Sequence, residues 1–326
     1  MLERLIKKAL QSAALLVGIV TISFFVVHLA PGSPGAGSEM DPSTSRQARE
    51  KLTRLYGLDK PLAEQYGDWF RKVVRFDFGA SLVDGEAVEE KILRAVPVTL
   101  TMNGAALVLA FLFGIPIGVW MAVRAGKKRE KMLGAALLAA YSLPGFWLAL
   151  LFMSVFGVHL RFFPVSGMHS LFYEELVFWR QWLDTAWHLA LPVAVIALSA
   201  AASVSRYVKD GMQQALRQDF IRAARSRGLS DRSVLFNHAL RNALLPVITI
   251  VGLSVPALLG GSVVLESVFA VPGMGRLFFN AVSQRDYPVV MGILTLGAAL
   301  TLLGNALADL AYAWADPRIR REETAK

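Results

Sequence analysis

Apolar residues fall in long blocks along this chain, separated by polar and mostly basic stretches. The blocks cover 9–30, 97–123, 132–158, 188–205, 244–266 and 289–314. At 1.5 Å per residue, about 20 residues of helix cross ~30 Å of hydrocarbon. The pattern predicts an all-α membrane protein with six transmembrane helices. The first block follows Arg4, Lys7 and Lys8. It is longer than a usual signal-peptide core and lacks a convincing small-residue cleavage site before Pro31-Gly32, so it reads as a retained span. Ser142, Pro144 and Gly145 interrupt the third block and predict a kinked helix whose freed backbone groups find partners on neighbours.

The polar stretches divide the chain. Residues 1–30 are a short tail and the first span. Residues 31–96 form the one long polar section, with ten Lys and Arg against eleven Asp and Glu. GLDKPLAEQYGDWF and RFDFGASL within it predict short helices joined by turns, with Gly57 and Gly79 as stops. The section is too small and polar for an enzyme domain and reads as an extracytoplasmic insertion. Residues 97–326 hold the other five spans, a long basic loop over 206–243 and a basic tail. Residues 159–187 read as an outer loop whose aromatic side chains, among them Phe172, Phe178, Trp179 and Trp182, suit the headgroup level. Residues 267–288 read as a second outer loop.

Charge sets the orientation. The chain is 55% hydrophobic yet carries a net charge of +9. Nucleic acid is the usual partner of such a balance, but here the cations lie between apolar blocks. The stretches assigned to the inside hold three, five, eight and four Lys and Arg, whereas the two short outer loops hold two each. The positive-inside rule then puts both termini in the cytoplasm, because the long section 31–96 escapes the rule. There is no cysteine, hence no disulfide or thiol chemistry. Among the five histidines only His188 has a carboxylate at helical spacing, Asp184 four residues before it. No nucleophile motif such as G-x-S-x-G accompanies the pair, and the histidines read as interfacial or loop residues rather than metal ligands. No G-x-x-x-x-G-K-[ST] occurs, and Gly126-Lys127 lacks the rest of that pattern, so ATP has no site in this chain.

The loop RQDFIRAARSRGLSDRSVLFNHALRNALLP, 217–246, is too long for a plain turn between spans. Ala223, Ala224 and Gly228 are small enough for close approach by a partner. Gly228 suits the left-handed residue that ends a helix, and Ser230 with Asp231 suits the start of the next. A helix, a glycine turn and a second helix through VLFNHALRN are predicted.

At this loop the chain resembles the inner-membrane permease subunits of ATP-binding-cassette importers, in the dipeptide, oligopeptide and nickel branch. Their general loop pattern is Glu-Ala-Ala, three residues, Gly, nine residues, then Ile-x-Leu-Pro. Arg222-Ala223-Ala224 and Gly228 match except for Arg in place of Glu. Arg241 stands where the general pattern has Pro, and the proline comes at Pro246, a variant known in the peptide branch. HLAPGSP, DFGASL, SLPGFWLAL, GGSVVLESVFAVPGMGRL and RDYPVV resemble the family's phrases in their usual order.

The resemblance implies a second homologous permease subunit, in a heterodimer, and two cytoplasmic ATPase subunits that bind ATP and Mg. It also implies an extracytoplasmic solute-binding protein and a bacterial inner (plasma) membrane location. Arg222, Ala223, Ala224, Arg225, Gly228, His238, Leu240, Arg241 and Asn242 are the implied ATPase contact. A positive-inside stripe at the headgroups is the alternative reading of the arginines. Asn103, Asn305 and Asp309 read first as interhelical hydrogen bonders and second, for Asn103, as part of the translocation path. Glu266 is a functional candidate because acids are costly near a membrane, with a water-exposed interfacial carboxylate as the alternative. Nickel or nickel-chelate uptake is the alternative to peptides. An ATP-independent carrier lacks support in buried ionisable residues, and an intramembrane enzyme lacks paired catalytic residues.

Overall fold

The computed structural model describes residues 2–29, 59–244, 247, 254, 258 and 260–315. These form helices α1 (Leu2–Leu29), α2 (Leu62–Val74), α3 (Val88–Val123), α4 (Lys128–Ser142) and α5 (Gly145–Phe152, continued as a π turn over Met153–His159). Next come α6 (Phe178–Leu216), α7 (Asp219–Ser226) and α8, which joins Asp231–Ser233, a π turn over Val234–Leu240, and Arg241–Ala243. The series ends with α9 (Val263–Val268), α10 (Met274–Gln284) and α11 (Tyr287–Ala315). Among the described residues there is no strand beyond an isolated Ala80–Ala87 bridge. Among the described residues four helices are long and apolar enough to cross a membrane, five if α4 and α5 count as one bent span. The expected fifth span lies mostly outside the described residues, with Pro246, Gly57, the stretch 31–58 and the tail from 316.

Three expectations change. α4 and α5 meet at 104°, far more than a kink within one helix. Pro144 holds Leu143 in an extended conformation (ψ 139°), which stops α4 outright. α6 runs for 39 residues, not the 18 of its apolar block, and so takes in Trp179, Trp182 and Trp187 from the expected outer loop. It is about 58 Å long, roughly twice the hydrocarbon thickness, so it is longer than a crossing needs. The expected loop 267–288 contains α10. Its start is capped from another helix, since Met274 N–H donates to Thr99 Oγ1 (2.8 Å), and it stops at Arg285 with φ 55°.

The chain divides into two compact units. In the first (Met1–Thr99, Leu259–Val263, Pro272–Leu303), α2 lays Trp69 and Tyr66 against Phe24 of α1. Tyr66 Oη shares a 2.8 Å hydrogen bond with Thr21 Oγ1. A second apolar cluster joins Phe78, Val88 and Ile92 to Met274, Ala281 and Val289. Buried Asp286, just before α11, accepts from Ser81 Oγ (2.5 Å) and Leu82 N–H (3.0 Å). That carboxylate fixes the turn after Phe78 to the start of α11, with charge-assisted bonds satisfying both oxygens.

The second unit (Leu100–Leu258, Val264–Val271, Gly304–Lys326) is organised on α6. Gly114 and Gly118 of α3 lie directly on it: a Cβ on Gly118 would stand 2.6 Å from Ser205 O, and one on Gly114 2.9 Å from Val204 Cβ. Small residues four apart let helix backbones meet in a membrane, where apolar burial drives no association. At one end of this pair, buried Glu130 of α4 accepts from Lys209 Nζ of α6 (2.6 Å) and from Gly126 N–H (3.2 Å). Each carboxylate oxygen thus has a donor.

Gly118→Val is expected to force α3 off α6 at a cost of about 1–3 kcal/mol. Gly104→Ala, with nothing within 4 Å of its added methyl, is expected to be neutral. Thermal unfolding of the purified protein, followed by size exclusion, compares the two.

Candidate functional site

The segment after α6 forms a helical hairpin. In α7, Ile221 and Ala224 are three residues apart and both buried, while Arg222, Ala223 and Arg225 are exposed. α7 ends in a Schellman turn: Gly228 N–H donates to Arg225 O (2.9 Å) and Leu229 N–H to Ala224 O (3.3 Å). Gly228 takes φ 79°, which a β-branched residue resists. Ser230 then accepts the Ser233 N–H (3.3 Å) and caps α8. Helix, glycine turn and capped helix stand as the spacing predicted. The π turn was not legible in the sequence. It puts Val234 and Ala239, five apart, on the same buried side as Ala243.

That buried side packs on α6. Ile221, Ala224, Val234, Ala239 and Ala243 share one cluster with Val208, Met212 and Ala215. At its tightest point a Cβ on Gly211 of α6 would lie 3.1 Å from Ala243 Cα. At that point the hairpin's backbone meets that of α6 with no side chain between them.

The predicted contact residues split across the two sides. Ala224 is fully buried, so its small size serves the packing on α6 and leaves no surface for a partner. His238 and Leu240 are half-buried. Arg222, Ala223, Arg225, Gly228, Arg241 and Asn242 are exposed, and Asn242 Nδ2 bonds back to His238 O (2.8 Å). Arg222 reaches Asp219 at 3.5 Å and Arg225 reaches Asp231 at 3.8 Å, both pairs in solvent and worth little. Arg232 and Arg241 form no salt bridge with any described residue. Sequence reasoning missed Phe220 and Phe236, which are 40% and 48% exposed on this otherwise basic hairpin. An aromatic at an exposed position in FIRAARSRG or VLFNHALRN was the available signal.

The two path candidates lie elsewhere. Asn103 Nδ2 donates to Leu258 O (3.2 Å), a bond between segments as first expected. Glu266 is fully buried, which overturns the water-exposed alternative. Its backbone oxygen accepts from Val271 N–H (2.8 Å). Asn305 is exposed, and the Asp309 side chain lies outside the described set.

A multi-span helical membrane protein with a helical hairpin packed on its longest helix is the class this geometry defines. Residues 114–321 match the family model for the binding-protein-dependent transport system inner membrane component. The chain is 40% identical, over 97% of its length and 98% of the relative, to the oligopeptide transport system permease protein AppB of Bacillus subtilis. It is 37% identical to the di/tripeptide transport system permease protein DppB of Pseudomonas aeruginosa, over 94% of this chain and 95% of the relative. It is 34% identical to the dipeptide transport system permease protein DppB of Escherichia coli at the same coverage. Among solved structures, a chain of the inward-facing MetNI methionine ABC transporter matches at a TM-score of 0.49 and 18% identity, covering 67% of this chain and 95% of that one. The chain belongs to the family of binding-protein-dependent transport system inner membrane components, a family of transport proteins rather than enzymes.

Gly211→Val is expected to lift the hairpin from α6. Limited trypsin digestion should then cut faster at Arg225 and Arg227 than in the unaltered protein, while Ala223→Val, on the exposed side, should leave the rate unchanged.

Proposed function

We propose that this chain is a permease subunit of an ATP-driven importer that takes up dipeptides or oligopeptides delivered by an extracytoplasmic binding protein. The observation that carries the reading is the α7–α8 hairpin: its apolar side is packed without clearance on α6, and its exposed side is basic with two aromatics. Such an element passes a push from a partner to a long helix as rigid-body motion, because packed interfaces do not deform continuously. The partners are two cytoplasmic ATPases, which bind ATP and Mg. A second, homologous permease completes the path across the membrane. Arg222, Ala223, Arg225, Gly228, Arg241 and Asn242 meet the ATPase, with Phe220 and Phe236 as apolar anchors. Ala224 and Leu240 hold the hairpin to α6 and, with His238, transmit the movement. The peptide substrate is supported by relatives named for oligopeptide, di/tripeptide and dipeptide transport.

The chain crosses the membrane six times with both termini in the cytoplasm, a reading supported by the excess of Lys and Arg in the stretches 124–131 and 206–243. Because the chain has no cysteine, a single introduced one reports its own side. Lys127→Cys is expected to react with an impermeant maleimide in inside-out vesicles and to stay unlabelled in right-side-out cells. Labelling from outside reverses the topology.

Uptake by the purified complex in proteoliposomes is expected for labelled dipeptide, to depend on ATP, and to persist without an ion gradient. Nickel uptake in its place reassigns the substrate. Gly228→Val should insert normally yet hydrolyse ATP without transport. Full uptake in that variant removes the hairpin from the coupling route.

A further inference from the structure

Between α4 and α6 lies a cavity of about 400 Å³, separate from the hairpin's exposed face. It is built by small residues: Gly134 and Ala135 on α4 and Ala202 and Ser203 on α6 leave room that larger side chains would fill. Its polarity is graded along the helices. Lys131, Arg206 and Lys209 line one end, next to the basic stretch Lys127–Arg129, and Leu138 and Tyr141 line the other. Lys131 and Tyr141 are ten residues apart on α4, about 15 Å along its axis.

The charges at the polar end are not mutually cancelled. Glu130 is taken up by Lys209 and by the Gly126 N–H, so that pair contributes no net charge. Neither Lys131 nor Arg206 is in a salt bridge with a described residue, and both are exposed. Asp210 is the other acid of the lining, leaving three cations against two acids. An anionic head on an apolar body matches this arrangement from end to end. Basic pockets between membrane helices at the cytoplasmic surface bind anionic lipid headgroups, and arginine grips phosphate through paired donors.

We infer that this groove holds one anionic phospholipid of the cytoplasmic leaflet, with its phosphate at Lys131 and Arg206 and an acyl chain along Leu138 and Tyr141. The leaflet rests on the orientation proposed above; the groove and its charges do not. The lipid lies against α6 one turn before Gly211, where α6 carries the hairpin, so occupancy braces the helix that moves.

The test uses the purified complex in nanodiscs of phosphatidylcholine mixed with phosphatidylglycerol, with the retained lipid counted by native mass spectrometry. The unaltered complex is expected to keep phosphatidylglycerol over phosphatidylcholine. Lys131→Gln or Arg206→Gln should weaken retention about fivefold, and both together roughly thirtyfold, at about one surface cation's contribution each. Ala135→Trp, which fills the apolar part and leaves the charges intact, should expel the lipid as well. Equal retention of phosphatidylglycerol by the unaltered and doubly altered complexes overturns the site. So does displacement by excess inorganic phosphate, which makes it a site for a free anion. Should Lys127→Cys label only from outside, the orientation fails and the leaflet with it. Correct labelling without selective retention sinks this inference alone.

Discussion

Backbone meeting backbone, with no side chain in between, is the constraint on which this structure depends. Gly114 and Gly118 bring α3 onto α6, and Gly211 brings α6 onto Ala243 at the end of the hairpin. In hydrocarbon, apolar side chains gain nothing by leaving lipid for protein, so close packing and satisfied polar groups must hold helices together. Three glycines on two helices supply that closeness at successive levels of α6. A 39-residue helix gripped in this way has the build that the proposed coupling requires of a lever. Its apolar middle is embedded against α3, and its far end carries a rigid two-helix attachment.

Polar groups complete the grip where small residues cannot. Glu130 and Lys209 tie α4 to the same helix, and the second carboxylate oxygen is met by Gly126 N–H. Asp286 accepts two bonds from the turn at Ser81 and Leu82. A carboxylate left unmatched in such surroundings is costly, so each of these pairs specifies one arrangement rather than several. The division of labour in the hairpin follows the same logic. Its inner side is alanine and short aliphatic chains, which set distance, and its outer side is arginine and phenylalanine, which suit recognition by another protein.

Much of the hairpin was legible from residue order, because its signals are local. Gly228 for a left-handed turn and Ser230 with Asp231 for the start of the next helix act within a few residues of themselves. The same holds for the spans α1, α3 and α11, since a long apolar run has few other outcomes in water or lipid. α10 was not legible. Pro272, Gly273 and Gly275 imitate a loop, and the cap that permits the helix comes from Thr99, which is 175 residues away. Nor was the length of α6, because its polar ends lack the apolar signal yet continue the helix through Trp179 and Lys209.

By itself, then, the order of residues determined a helical membrane protein with a capped helical hairpin, since hydropathy and turn chemistry are properties of neighbouring residues. Only the tertiary structure decided which face of that hairpin is free. Ala223 and Ala224 are adjacent and chemically identical, and the apolar surface of α6 buries the second while leaving the first exposed. It likewise decided that Glu266 is enclosed and that α4 and α5 part at 104°. These outcomes are set by residues distant in sequence, whose approach no local pattern encodes.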